Sequence, residues 1–273
     1  MSIVWLASYP KSGNTWVRAL LTNYLHTEQS PASINALLGN SIHLDRYLFD
    51  ETMGIASAEM TDGEIASARP IFHEELAKQS SGITFIKTHD AFGYPPSDGP
   101  LFPAASGYKA IYIIRNPLDI VPSFGHHQGQ EPDAIIAFMT DTASKLPGGS
   151  GQFGEHLGTW ADHVTGWTEQ DVLETLIVRY EDLIADTVAT FERIVRFSGL
   201  EVDIARAQRA AHNADFDTLR QNEQRETFRE KRPSAQSFFR EGQAGTGRQK
   251  LTEAQIGRVV EKHRDLMFRF SYD

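Results

Sequence analysis

Apolar residues along this chain fall into two rhythms. The first is a short continuous run, seen at Ile3-Val4-Trp5-Leu6-Ala7, at Ile83 to Ile86 with Phe85 between, at Tyr108 to Ile114, and at Leu173 to Val178. Runs of that length, rich in β-branched residues and bounded by polar breaks, predict buried strands. The second rhythm has helical spacing. It gathers Trp16, Val17, Leu20, Leu21, Tyr24 and Leu25, then Trp160, Val164 and Trp167, then Val188, Phe191, Ile194 and Val195 within 185–197. A last helix, 252–270, carries Ile256, Val259, Val260, His263 and Met267. Strands alternating with amphipathic helices predict an α/β fold, a parallel sheet flanked by helices. No repeat or composition break divides the chain, so one domain over 1–273 is expected.

The polar breaks hold the candidate chemistry. After the first run comes Ser8-Tyr9-Pro10-Lys11-Ser12-Gly13-Asn14-Thr15, and a helix follows at once. Strand, short loop and helix aim backbone N–H groups at an anion. Gly13 permits close backbone approach, Ser12, Asn14 and Thr15 bring short donors, and Lys11 brings a point charge. The Walker A pattern GxxxxGK[ST] is absent. A helix simply capped by Ser12 or Asn14 explains the same spacing without a ligand. Lys87-Thr88-His89 and Arg115-Asn116-Pro117 stand at two further strand ends, where open α/β sheets bind ligands. Arg115 and Ser123 are spaced so that a guanidinium and a hydroxyl can meet on one phosphate. Pro122, in the predicted helix after Arg115, predicts a local kink. His126 and His127 are adjacent and share no helical face, which argues against a metal site. His43 and His73 read as surface or satisfied histidines and carry no role.

Charge and composition narrow the function class. The formal net charge of −10 disfavours general nucleic-acid binding. It makes basic clusters around Lys11, Lys87, Arg115 and Arg240 more telling, because a polyanionic nucleotide needs them. Cysteine is absent, which removes disulfides and thiolate chemistry. No segment reads as a signal peptide, and no apolar run approaches the roughly 20 residues of a membrane span. A cytoplasmic protein is expected. The Pro- and Gly-rich stretch 90–105 reads as a loop over the site. Pro147-Gly-Gly-Ser-Gly reads as a flexible loop of the kind that carries substrate recognition.

The strings themselves are more specific than their spacing. YPKSGNTW, from Tyr9 to Trp16, resembles the phosphosulfate loop of the cytosolic-type sulfotransferases. That family transfers a sulfuryl group from 3′-phosphoadenosine 5′-phosphosulfate (PAPS) and releases PAP. Further segments agree in family order. KTH at Lys87 resembles the segment whose histidine, here His89, is the general base. IIRNPLDIVPSF resembles the 3′-phosphate segment and carries Arg115 and Ser123. VRYEDL resembles the segment whose tyrosine, here Tyr180, contacts adenine, and NADFDTLRQNE resembles the one whose phenylalanine, here Phe216, packs on adenine. In that last segment Ala214 replaces a threonine, which puts one adenine hydrogen bond in question. FFREGQAGTGR resembles the loop that closes over the 3′-phosphate. Arg240 and Gly242 match it, whereas Glu241 replaces a lysine. GTWADHVTGW resembles a family helix and reads as packing.

The resemblance implies the sulfotransferase fold and sulfuryl transfer to a hydroxyl, with an amine second, of a small-molecule acceptor. His89 takes the acceptor's proton, and Lys11 and Lys87 meet the charge of transfer. Ser12 to Trp16, Arg115, Ser123, Tyr180, Phe216, Arg240, Glu241 and Gly242 hold the nucleotide. No metal, nucleic acid or membrane partner is implied. The short chain and the Gly-rich loop resemble bacterial small-molecule sulfotransferases, natural-product enzymes included. A nucleotide kinase and a non-catalytic nucleotide-binding module are the competing classes. Absence of a Walker lysine speaks against the first, and presence of Lys11 and His89 against the second. Animal relatives dimerise through KxxxTVxxxE. In the matching segment, Arg248 to Gly257, Glu253 replaces the valine and Gly257 the closing glutamate. A monomer, or a dimer built elsewhere, is expected.

Overall fold

The computed structural model describes residues 2–79, 82–93, 101–102, 104, 107–231, 237–239 and 242–272. The strands are β1 Ser2–Ser8, β2 Ile83–Thr88, β3 Lys109–Ile114, β4 Lys145–Leu146, β5 Glu155–His156 and β6 Glu174–Arg179. The helices are α1 Asn14–Leu25, α2 Arg46–Met53, α3 Asp62–Gln79, α4 Pro117–Gln128, α5 Pro132–Met139 and α6 Trp160–Glu169. They continue with α7 Tyr180–Ala185, α8 Thr187–Phe197, α9 Ile204–Asn213, α10 Phe216–Glu226, α11 Gly247–Lys250 and α12 Glu253–Arg269. Among the described residues the main sheet has the order β2-β1-β3-β6. β1 and β2 run parallel, from Ser2 opposite Ile83 to Ala7 opposite Thr88. Each expected strand is present within two residues of its expected bounds, and helices flank the sheet.

The chain forms two compact units. The first comprises Met1–Tyr9, Gly39–Tyr112 and Asp141–Ile177. In it β1 is buried at every position from Ile3 to Ser8, as an inner strand covered on both faces must be. Trp5 anchors this core, with Phe102 and His73 each 4.8 Å away between ring centroids and His43 at 5.5 Å. A neighbouring cluster joins Leu44, Phe49, Ile65, Phe72, Leu76 and Phe153. Trp160, Val164 and Trp167 are fully buried, so α6 is the packing helix its spacing predicts. His43 and His73 are also fully buried, which excludes the surface alternative of the two expected for them. The partners that enclose them are remote in sequence, so local pattern carries no sign of them.

The Gly-rich loop also differs from expectation. Among the described residues it is pinned, not loose: Gly149 N–H donates to Gln152 O at 2.8 Å, Arg46 N–H to Gly151 O at 3.1 Å and Phe153 N–H to Leu44 O at 2.8 Å. A Cβ on Gly148 would stand 2.5 Å from Gly154 N. The glycines serve close backbone approach. Much of the expected loop at 90–105 falls outside the described residues.

The second unit comprises Pro10–Leu38, Ile113–Thr140 and Val178–Asp273. Its centre is α1, where every residue from Trp16 to Tyr24 is buried. α8 and α9 pack against it. The one buried cation of α1, Arg18, meets Glu230 and Leu38 O, each at 2.7 Å, and so avoids the cost of an unpaired internal charge. α4 opens on Asn116, whose side chain caps Leu118 N–H, and runs on through Pro122. Pro122 has no N–H to return to Leu118 O. That carbonyl faces Gly247, where a Cβ would come within 2.2 Å of it.

Candidate active site

In the second unit the loop after β1 turns by two left-handed residues, Lys11 at φ 68° and Gly13 at φ 106°. Gly13 is the N-cap of α1, no side chain caps that end among the described residues, and the first turn carries no acid. The backbone donors and the helix dipole therefore favour an anion. The Ser12 hydroxyl is buried and makes no hydrogen bond among the described residues. Asn14 is buried, and Lys11 and Thr15 are half-buried. Close packing requires glycine at 13, because a Cβ would stand 2.6 Å from Cδ2 of Tyr180.

Tyr180 is buried behind this turn, and burial pushes its phenol up to about 12 against the pull of Arg115. The guanidinium carbon of Arg115 lies 4.3 Å above the Tyr180 ring. Its nitrogens donate to Lys11 O at 3.1 Å and Gln243 O at 2.9 Å. Trp16 stands edge-on to Tyr180 and Phe216, with centroids at 5.7 and 5.5 Å, and its indole N–H donates to Ala214 O at 2.9 Å. The carbonyl of the residue that replaces the family threonine is thus already engaged. Gly242, at φ 58°, lies flat on Phe216, and a Cβ there would come within 2.2 Å of the ring. The sequence-selected residues Lys11 to Trp16, Arg115, Tyr180, Phe216 and Gly242 are therefore one packed set. Ser123 lies half-buried in the second turn of α4. Arg240 and Glu241 lie outside the described residues.

Two carboxylates that sequence reasoning passed over organise the rest of this unit's loop. Buried Asp119 accepts Gly245 N–H at 2.7 Å and Gly247 N–H at 2.6 Å. Glu223 accepts the N–H groups of Phe238 and Phe239 at 2.7 and 3.0 Å. Phe238 in turn lies under the Lys11 ammonium, 4.3 Å from its ring centroid.

In the first unit Lys87 and His89 sit at and just beyond the end of β2, both half-buried. His89 Nδ1 lies 2.7 Å from Ser8 O and 3.3 Å from Ser8 Oγ. A carbonyl only accepts, so Nδ1 carries a proton, and in the neutral ring Nε2 then holds the lone pair. The His89 peptide is held at both ends: its N–H donates to Glu155 Oε1 at 2.6 Å, and its carbonyl accepts from His163 Nε2 at 3.0 Å. The same logic leaves His163 Nδ1 to accept from the Tyr112 hydroxyl at 2.9 Å. Burial pulls the His163 imidazole down to about 4.

Under His89 lies a buried polar cluster. Asp90 pairs with Arg69 at 2.7 Å, has His43 Nε2 at 3.7 Å, and accepts His156 N–H at 2.9 Å. Burial opposes its charge, but Arg69 holds its carboxyl well below the usual range. Burial, and then the charge of Asp90, push Glu155 the other way, up to about 7, against the pull of Lys87 and the His89 N–H. His43, Asp90 and Glu155 could present ligand atoms within 4.8 Å of one another. The Arg69 guanidinium already supplies positive charge to Asp90.

The family model described as a sulfotransferase domain matches residues 2–270. Cytosolic sulfotransferase 1 of Danio rerio is 26% identical over 272 residues, spanning 97% of this chain and 82% of its own length. Sulfotransferase 1C2 of Homo sapiens is likewise 26% identical, over 96% of this chain and 82% of its own. Among solved structures, retinol dehydratase in complex with androsterone and inactive cofactor PAP superposes with a TM-score of 0.64 at 19% identity. That match covers 97% of this chain and 80% of the other. A mouse sulfotransferase complexed with PAP gives 0.61 at 22%, over 96% and 85%. These likenesses establish the fold. Among the described residues no helix is long and apolar enough to cross a membrane. With its family model matched across almost its whole length, the chain belongs to the sulfotransferase domain family and is an enzyme of sulfuryl transfer.

Proposed function

We propose that residues 1–273 act as one domain that transfers the sulfuryl group of PAPS to a hydroxyl of a small-molecule acceptor, with His89 as general base. The observation that carries this reading is the hydrogen bond from His89 Nδ1 to Ser8 O at 2.7 Å. That contact favours the neutral tautomer whose Nε2 can accept a proton, which is the state a base requires. In this reading the α1 N-terminus, Ser12 to Thr15, takes the 5′-phosphosulfate. The unengaged, buried Ser12 hydroxyl and the glycine-only approach at Gly13 suit that ligand. Arg115, with Ser123, Arg240 and the Glu241–Gly242 backbone, takes the 3′-phosphate, and Trp16, Tyr180 and Phe216 take adenine. Lys11 and Lys87 stabilise the charge that develops on the transferring group and the bridging oxygen. The reaction needs positioning and electrostatics, as phosphoryl transfer does, and no metal is assigned to it. The protein works in the cytoplasm, apart from nucleic acid and membranes, as a monomer or as a dimer that does not use the animal contact.

Thermal shift with PAP, ATP and GTP tests the donor site. Stabilisation by PAP above both triphosphates is expected, and preference for ATP with magnesium would overturn the reading in favour of a kinase. A PAP-release assay over a panel of phenols, alcohols and amines, followed by mass spectrometry, then identifies the acceptor. A chain that binds PAP and turns over no acceptor would be a binding module instead.

A further inference from the structure

β1 and β2 stop pairing at Ala7 and Thr88. His89 is thus the first residue beyond the ladder, and the strand no longer dictates the orientation of its peptide. What the structure supplies instead is Glu155 on the N–H and His163 on the carbonyl. Glu155 belongs to β5, is almost fully buried, and has Asp90 close enough to disfavour its charge. A carboxylate buried beside another carboxylate is an expensive way to satisfy one N–H, which a neutral acceptor could serve. A charge-assisted bond is shorter and stiffer than a neutral one. Here it is made at 2.6 Å to the peptide that bears the base.

We propose that Glu155 is a positioning residue for sulfuryl transfer: its carboxylate grips the His89 peptide N–H and so holds the imidazole where Nε2 can take the acceptor's proton. This rests on His89 being the base. Asp90 lies next to His89 in the chain, and its bond to Arg69 and its acceptance of His156 N–H keep that platform from shifting. Lys87, on the same strand end, favours the charged form of Glu155. Removing the acceptor leaves the N–H unmet and the peptide free to turn, and an ångström of displacement at a reacting group can cost on the order of a hundredfold in rate.

The test uses PAPS with 2-naphthol, a phenol still protonated at neutral pH, and compares Glu155→Ala, Glu155→Gln, His89→Asn and the Glu155→Ala/His89→Asn pair. Glu155→Ala is expected to lower kcat by about 10–100-fold with PAP affinity within about twofold of wild type. Glu155→Gln, whose amide oxygen still accepts but without the charge, should recover part of that loss. A group that acts through His89 has nothing left to position once His89 is gone, so the double variant should be no slower than His89→Asn alone. A kcat for Glu155→Ala within about threefold of wild type would overturn the inference. So would a parallel loss of PAP affinity, or a double variant slower than His89→Asn by the full Glu155→Ala factor. If Glu155→Ala does not fold, Glu155→Asp, which draws the acceptor back by one methylene, takes its place under the same criteria. A His89→Asn enzyme with wild-type kcat would show that the reading of His89 has failed, and that single variant reveals it whatever Glu155 does.

Discussion

Nδ1 of His89 and the carbonyl oxygen of Ser8 are 2.7 Å apart, and that one contact ties the end of β1 to the imidazole that follows β2. A ring held this way cannot flip its tautomer without losing the bond. His89→Ala is therefore expected to lower kcat by about 10²- to 10⁴-fold, the usual worth of a general base. PAP affinity, measured by calorimetry, should stay near wild type. A variant within a few-fold of wild-type kcat would require another base or an acceptor that arrives ionised.

Gly13 tolerates no side chain. Its φ of 106° and the 2.6 Å approach of a Cβ to Tyr180 act together. Gly13→Ala should lose about 1–3 kcal/mol of stability from backbone strain and crowding. It should also weaken PAP at least tenfold, because the α1 N-terminus moves. Thermal melts and calorimetry check both, and unchanged PAP affinity would detach this turn from the donor.

Arg115 rests on Tyr180 and donates to two carbonyls, so it is already in place before any ligand arrives. Arg115→Ala should weaken PAP by about 2–5 kcal/mol, as for truncating one partner of a desolvated charge pair. Adenosine 5′-phosphate, which lacks the 3′-phosphate, should bind the variant and wild type alike. An equal loss for both nucleotides would remove Arg115 from the 3′-phosphate.

Stability should fall with acid before any carboxylate pair is broken. Burial holds His43 and His163 down to about 4. A histidine kept neutral in the fold takes its proton more readily once unfolded. Its contribution is whole above pH 6.5 and is lost as pH falls through about 4, at ~1.4 kcal/mol per pH unit and so ~3 kcal/mol apiece. Glu155 works in the opposite sense, contributing fully below pH 4.5 and losing its contribution as pH rises through about 7. Between pH 6.5 and 4.5 two histidines outweigh one glutamate. The Tm of the ligand-free protein should drop across that window, and Glu155→Gln should steepen the drop. A flat profile, or a shallower one in the variant, contradicts this balance.

The segment used for dimerisation by animal relatives is occupied with other work in this chain. Thr252 and Gln255 form a reciprocal cap at the start of α12, while Glu253 and Gly257 are exposed. Two copies of Glu253 brought together and desolvated would repel by several kcal/mol. Sedimentation at micromolar concentration should show no dimer through this face. Glu253→Val/Gly257→Glu is the variant that could gain one. A wild-type dimer with Glu253 of both copies buried in its interface would show the argument wrong.

The strands and the turns at their tips were legible in the sequence because they are written locally. A continuous apolar run ending in KSGNT, KTH or RNP announces both the element and what its tip offers. The layer beneath His89 was not legible. Arg69, Asp90 and Glu155 are ordinary surface residue types standing far apart in the chain, and only the folded backbone brings them together. The burial of His43 and His73 was hidden for the same reason. His163 hid inside a motif whose tryptophans account for its pattern by packing alone, although its ring also holds the His89 carbonyl. Pro122 predicted a local kink, and α4 runs on through it with Gly247 set close against the Leu118 carbonyl.

The short ladder of β4 and β5 has a bearing on enzyme engineering. Glu155 pairs with Leu146 across that ladder, and the tight Gly-rich turn joins the two strands. That turn is an obvious place to graft foreign sequence when a new acceptor preference is wanted. The same hairpin grips the peptide of His89. A graft that slips the ladder by one residue would turn Glu155 to the opposite face. Loop libraries at this position would then select for rate and preference together, and those that keep Leu146, Gly148, Gly154 and Glu155 would let the two be varied separately.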